Sequence, residues 1–147
     1  MSDEGAQDAK AVPSPDLVGL DRLVGTWSFS GETAGTTTYE WMEGGFFLLQ
    51  RSRLEHGEHT VIGLEVIGHL KPFDGATSPE IRSRFYDNEG NTLDYVYEFE
   101  GDTLTIWGGE KGSPAYYRGT FSDDGNTLSG GWTWPGGGYE STATRLS

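Results

Sequence analysis

Apolar residues recur at two spacings along this chain, and the change falls at Val24. Before it, Leu17, Leu20, Leu23 and Val24 follow one another at helical spacing. They stand behind Ser14-Pro15-Asp16, a start signal with a capping hydroxyl, a proline at the first helical position and an acid in the first turn. So short a helix is marginal alone and needs a surface to cover. After Val24 the period is two. Trp27 and Phe29 share a face, as do Thr37, Tyr39 and Trp41 in a segment of about 36 to 43. Phe46 to Leu54 begins apolar on both faces and ends with Arg51 and Arg53 opposite Gln50 and Ser52. In 59 to 70, Ile62, Leu64 and Val66 oppose Val61, Glu65, Ile67 and His69, and 71 to 79 is a proline-punctuated loop. In 81 to 87, Arg82, Arg84 and Tyr86 oppose Ile81, Ser83 and Phe85. Leu93, Tyr95, Tyr97 and Phe99 alternate with Asp94, Glu98 and Glu100, the clearest half-buried strand in the chain. Further strands are expected at 103–107, 115–122, 127–134, with Leu128, Trp132 and Trp134 on one face, and 139–146.

About ten short strands with turn residues between them predict an all-β fold. Short connections pair sequence neighbours antiparallel, and closure removes the two free edges of such a meander. The expectation is an up-and-down antiparallel β-barrel of about ten strands, its N-terminal helix capping one end. A barrel of this width leaves room inside for a ligand.

Composition agrees. Of 147 residues, 34% are hydrophobic and 13% aromatic, enough for a core. The 23 glycines suit turns and bulges better than helices. Residues 1–13 read as a mobile acidic tail and 14–147 as one domain. The N-terminus lacks the apolar stretch of a signal peptide, and no run approaches the roughly 20 residues of a membrane helix. A formal net charge of -13 opposes binding to nucleic acid or to an anionic membrane face. Without cysteine there are no disulfides, thiolate metal sites or cysteine nucleophile, which fits a cytoplasmic protein.

The candidate chemistry is a lined interior. Trp27, Tyr39, Trp41, Tyr95, Tyr97, Trp132 and Trp134 sit on the more apolar faces of their strands. Buried Tyr and Trp need partners for their polar tips, so several facing one interior suggest a cavity with polar handles, suited to an apolar or aromatic small molecule. The alternation leaves open which face of the Arg51/Arg53 and Arg82/Arg84 strands is internal, and Arg118 is equally ambiguous. Arg51 is the first choice for an interior anchor to a carboxylate, because its strand begins deeply apolar. Glu65 and His69 share a face but stand about 13 Å apart along the strand, too far for a direct pair. Glu65 is kept as a site residue, with Tyr95 and Tyr97 beside it as candidates for acid–base work. Three histidines without a clear carboxylate partner make a poor metal site. Neither a phosphate-binding glycine loop nor a serine nucleophile elbow is present.

These residues also carry a resemblance. Gly25-Thr26-Trp27 behind a short helix resembles the start of the calycin barrels, the lipocalins and fatty-acid-binding proteins. The longer set Leu23–Trp27, Tyr39–Leu48, Glu65–Gly68 and Gly119–Leu128 is similar to the DUF1579 family, bacterial calycin-like barrels of unassigned function. The chain departs from that pattern at 68–72, where an aromatic and an acid are commoner. The resemblance implies a calycin-like fold and no activity. The related nitrobindins ligate haem through a histidine near the C-terminus; no histidine follows His69 here, so neither haem nor another cofactor is expected. The expected function is small-molecule binding inside the barrel. The rival is a calycin-fold enzyme, a cyclase, isomerase or decarboxylase acting on a polyketide-like or phenolic substrate, with Tyr95, Tyr97, Glu65 and Arg51 as its actors. Oligomeric state is not legible in the chain.

Overall fold

In the computed structural model, which describes residues 11–147, every strand from β1 to β10 bonds to its sequence neighbours and the last closes on the first. The strands are β1 (Gly25–Gly31), β2 (Thr33–Trp41), β3 (Phe47–His56), β4 (His59–Gly68), β5 (Ile81–Asp87), β6 (Thr92–Glu100), β7 (Thr103–Gly108), β8 (Tyr116–Phe121), β9 (Thr127–Trp134) and β10 (Gly137–Arg145). All pairs are antiparallel, and the closing seam runs from Trp27 opposite Arg145 to Gly31 opposite Ser141. The expected up-and-down antiparallel barrel of ten strands is thus the architecture found. The expected tail falls, for residues 1–10, outside the described residues. No helix among the described residues is long and apolar enough to cross a membrane.

The expected helix is present as a 3₁₀ helix, Pro15–Leu23. The reason is in the spacing: Leu17, Leu20 and Leu23 recur every three residues, and a helix of three residues per turn stacks them on one face. All three are buried. Ser14 holds the N-cap position, but its side chain makes no capping bond; its carbonyl accepts from Leu17 N–H at 3.0 Å. Polar contacts strap this cap helix to the rim on several sides. Asp21 accepts from Trp41 Nε1 at 2.7 Å, Arg22 pairs with Asp102 at 2.8 Å, and Asp16 pairs with His69 at 2.9 Å.

The core lies at the capped end. Trp27 is 1% exposed, donates its indole N–H to Leu23 O at 2.8 Å, and meets Phe121 edge-on at 6.3 Å. Leu48, Ile67 and Leu104 pack in the same cluster. Arg145 lies over the Trp27 ring at 4.3 Å and donates to the carbonyls of Arg22 and Val24, fastening the last strand to the cap. The hairpins linking β1 to β2, β3 to β4, β5 to β6, β7 to β8 and β9 to β10 gather at the opposite, uncapped end.

Two strands begin earlier than the expected segments at 36–43 and 139–146. Gly35 stands inside β2, paired with Leu54, at φ +135°, where a Cβ would lie 2.2 Å from Arg53 O. It permits a close backbone approach rather than making a turn. Likewise Gly137 and Gly138 belong to β10.

Candidate functional site

Above the Trp27 floor the barrel encloses a cavity of about 520 Å³ that opens among the hairpins of the uncapped end. Ten strands set the wall too wide for side chains to fill it. Inward positions of β6, β8 and β9 supply an aromatic wall. Trp132 lies 5.7 Å from Tyr95 and 5.8 Å from Tyr117, its ring tilted to each. At the mouth, Trp134 meets Tyr139 edge-on at 6.0 Å, and His56 packs on Tyr139 at 4.9 Å. Two inward glycines make room for rings. A Cβ on Gly63 would lie 2.2 Å from the Phe85 ring, and one on Gly119 would lie 2.3 Å from Tyr117 Oη.

The polar groups face this wall from β2 to β6. Glu65 is 4% exposed and Tyr97 donates its hydroxyl to Glu65 Oε2 at 2.7 Å. Burial pushes the Glu65 carboxyl above the ordinary glutamate value, against the opposing influence of the Ser83 and Tyr97 hydroxyls. Ser83 acts there at longer range, since its buried hydroxyl makes no hydrogen bond of ordinary geometry. Beside Glu65, Gln50 donates to Tyr39 Oη at 3.1 Å and accepts from Ser52 at 2.8 Å, and Ser52 reaches Thr37 at 3.1 Å. Burial and the neighbouring carboxyl hold the Tyr39, Tyr95 and Tyr97 phenols above their usual pKa, and burial does the same to Tyr117. These phenols are therefore neutral at physiological pH, able to donate or accept.

Of the residues singled out in the sequence, Tyr39, Glu65, Tyr95, Tyr97, Trp132 and Trp134 line the cavity together. Trp27 lies beneath it, in the floor. Trp41 shares the inward parity of Tyr39 but stands at the capped end, bonded to Asp21 and packed against the core. Arg51 does not reach the interior. Its guanidinium is on the outer face, 57% exposed, paired with Glu40 across the β2–β3 ladder at 2.8 Å. The inward residues of β3 are Leu48, Gln50, Ser52, Leu54 and His56. The expectation of Arg51 as an interior anchor is therefore corrected.

The other ambiguous arginines also face outward. Arg84 forks onto Asp94 at 2.7 and 3.1 Å, Arg82 pairs with Glu80 and Glu110, and Arg118 lies over the Tyr116 ring at 4.7 Å. Among the described residues, neither lysine nor arginine lines the cavity. Glu65 and His69 have separate partners: His69 does find a carboxylate, Asp16, but at the cap helix. Among the described residues no cluster of His, Asp and Glu is arranged to hold a metal ion.

The sequence reading missed Thr37, Gln50, Ser52, Phe85 and Tyr117 as cavity residues. Cross-strand register is the signal that finds them, since Gln50 pairs with both Tyr39 and Glu65, Ser52 with Thr37, and Tyr117 with Trp132. What the fold and site define is a closed ten-stranded β-barrel with one aromatic-walled, internally acidic cavity. No family model matches the chain, and no curated protein matches it.

Proposed function

We propose that the protein binds one small, predominantly apolar or aromatic molecule inside the barrel. One observation carries this reading: a cavity of about 520 Å³, open at one end, walled by Tyr95, Tyr117 and Trp132 and furnished with the Glu65–Tyr97 pair. Apolar walls drive burial of the guest, and a few fixed polar groups orient it. The test is titration of intrinsic Trp fluorescence with fatty acids, retinoid-like and polyketide-like compounds. Saturable, one-to-one quenching that weakens on Trp132→Phe is expected. Silence across this panel and across cationic and neutral aromatic compounds of similar size overturns the reading.

A second reading is an enzyme, a cyclase, isomerase or decarboxylase acting on a polyketide-like or phenolic substrate. The Glu65–Tyr97 pair favours it, as a carboxyl with a raised pKa hydrogen-bonded to a phenol can move a proton in a desolvated site. Turnover lost on Tyr97→Phe, with binding retained, distinguishes it. Kinship with the DUF1579 barrels belongs to the same proposal, supported by the motifs from Leu23 to Leu128. A cytoplasmic location and indifference to nucleic acid and membranes are supported by the charge of -13 and the lack of cysteine.

A further inference from the structure

The composition of the cavity wall restricts the charge of its guest. We propose that the molecule bound in the barrel is a cation, a hydrophobic amine or quaternary ammonium compound whose positive nitrogen sits between Glu65 and the faces of the surrounding tyrosines and Trp132. The inference rests on the binding function proposed above and names its ligand class.

The argument is one of charge and geometry. Glu65 is the carboxyl in the wall, is 4% exposed, and lies where its strand crosses the middle of the barrel. Only one of its oxygens, Oε2, has a hydrogen bond among the described residues, from Tyr97. Among the described residues, no lysine or arginine lines the cavity to balance it. Arg51, Arg82, Arg84 and Arg118 are turned to the outer surface and hold Glu40, Glu80, Asp94, Glu110 or the Tyr116 ring, and Arg53 is exposed. An anionic guest finds no counter-charge here and, once Glu65 is ionised, brings a second negative charge beside it, in a site too dry to screen it. A cation meets a counter-charge and the negative faces of several aromatic rings, a combination that strengthens with desolvation. The Tyr95, Trp132 and Tyr117 rings, in contact at 5.7 and 5.8 Å, give that surface its continuity. The molecule as a whole, at -13, attracts cations.

Binding is then linked to the proton on Glu65, because a permanent cation needs the carboxylate form. The groups facing Glu65 are Tyr39 on β2, Gln50 on β3, Ser83 on β5, Tyr95 and Tyr97 on β6 and Tyr117 on β8. The phenols among them stay neutral in the range concerned. His56 and His59, at the mouth, stand roughly six strand residues from Glu65, about 20 Å along the wall.

The experiment uses the full chain and three naphthalene probes of matched shape: (naphthylmethyl)trimethylammonium, its neutral carbon isostere neopentylnaphthalene, and naphthylacetate. Affinities are measured by Trp fluorescence and calorimetry from about pH 5 to pH 8. The cation is expected to bind about tenfold or more tighter than the neutral isostere at pH 8, and naphthylacetate weakest. Because the trimethylammonium does not titrate, its affinity should climb by up to about tenfold per pH unit while Glu65 is losing its proton. It should then level off. Glu65→Gln should abolish both the preference and the pH dependence while keeping the neutral probe bound. Should that variant not fold, Tyr97→Phe serves instead. Removing the phenol's hydrogen bond to the carboxylate should move the rise in cation affinity to higher pH.

A neutral probe binding as tightly as the cation overturns the proposal while leaving the binding reading intact. So does a cation affinity that does not rise as pH rises, the mark of a Glu65 carboxyl that takes no part in holding the guest. Tightest binding of naphthylacetate has the same effect. Failure of all three probes to bind sinks this proposal and counts equally against a ligand in the barrel.

Discussion

Glu65 shows what a single inward residue imposes on this protein. Its pKa is raised in the folded state, so the folded chain holds the proton more tightly than the unfolded one. In that case stability is fully present below the unfolded value and is lost as pH rises through the folded value. Asp87, Asp94, Glu98, Glu110 and Asp124 are shifted the other way by hydrogen bonds and ion pairs; their contribution is present above the usual carboxylate range and is lost as pH falls through their depressed values. Glu65→Gln should therefore leave the acid limb unchanged and flatten the decline above about pH 4.5. Urea midpoints of the two proteins compared across pH check this; a constant difference would mean that the carboxyl is not buried in the unliganded protein. Much of this site was legible in alternation. The rule that the more apolar face points inward correctly set Tyr39, Tyr95, Tyr97 and Trp132 together; Glu65 was kept for its acid–base chemistry, and its face of β4, opposite Ile62 and Leu64, is the inward one. The same rule failed on β3. Phe47 and Leu49 made the Arg51 face look internal, but the interior at that height is a polar-walled hollow, and Gln50 and Ser52 suit it better than leucine would. A wall that surrounds empty space does not obey the patterning of a packed core.

At the scale of elements, the cap helix behaves as part of the barrel rather than as an appendage. Leu20 is fully buried and Gly19 packs against Phe99, where an added Cβ would lie 3.1 Å from the ring. Leu20→Ala should cost about 2–5 kcal/mol, the range for a large-to-small change in a core that cannot collapse onto the gap. Denaturant unfolding measures it, and a loss under about 1 kcal/mol would show that the helix only rests on the rim. The existence of this helix was readable from Ser14-Pro15-Asp16 and its leucines. Its 3₁₀ winding was present in the three-residue spacing of Leu17, Leu20 and Leu23, but the alternative α-helical reading also accommodates Val24. Strand number and order followed from the period of two and the short turns. Boundaries slipped where glycine had a second use. Gly35, Gly137 and Gly138 sit within strands where backbones approach closely, a demand set by the partner strand and invisible in a local stretch of chain.

For the molecule as a whole, charge and shape act together. The net charge of -13 surrounds a cavity with one open end. Fields of this kind raise the encounter rate of oppositely charged ligands and are screened over roughly 8 Å at physiological ionic strength. Stopped-flow association of the trimethylammonium probe should slow severalfold between about 0.02 and 0.3 M salt, while the neutral isostere is unaffected. Equal salt dependence for both would mean that the global charge serves solubility alone.

The fastening of Arg145 to Val24 and Arg22 bears on how the chain reaches this state. It joins positions 121 and 123 residues apart, along a seam where Trp27 faces Arg145. Loop closure over that distance is slow, so local hairpins can form early but the cylinder cannot shut until its last strand finds its first. During that wait two unsatisfied sheet edges are open to a neighbouring chain. Arg145 is the latch that ends the exposure, and the yield of refolding at high protein concentration is where its loss would first be felt.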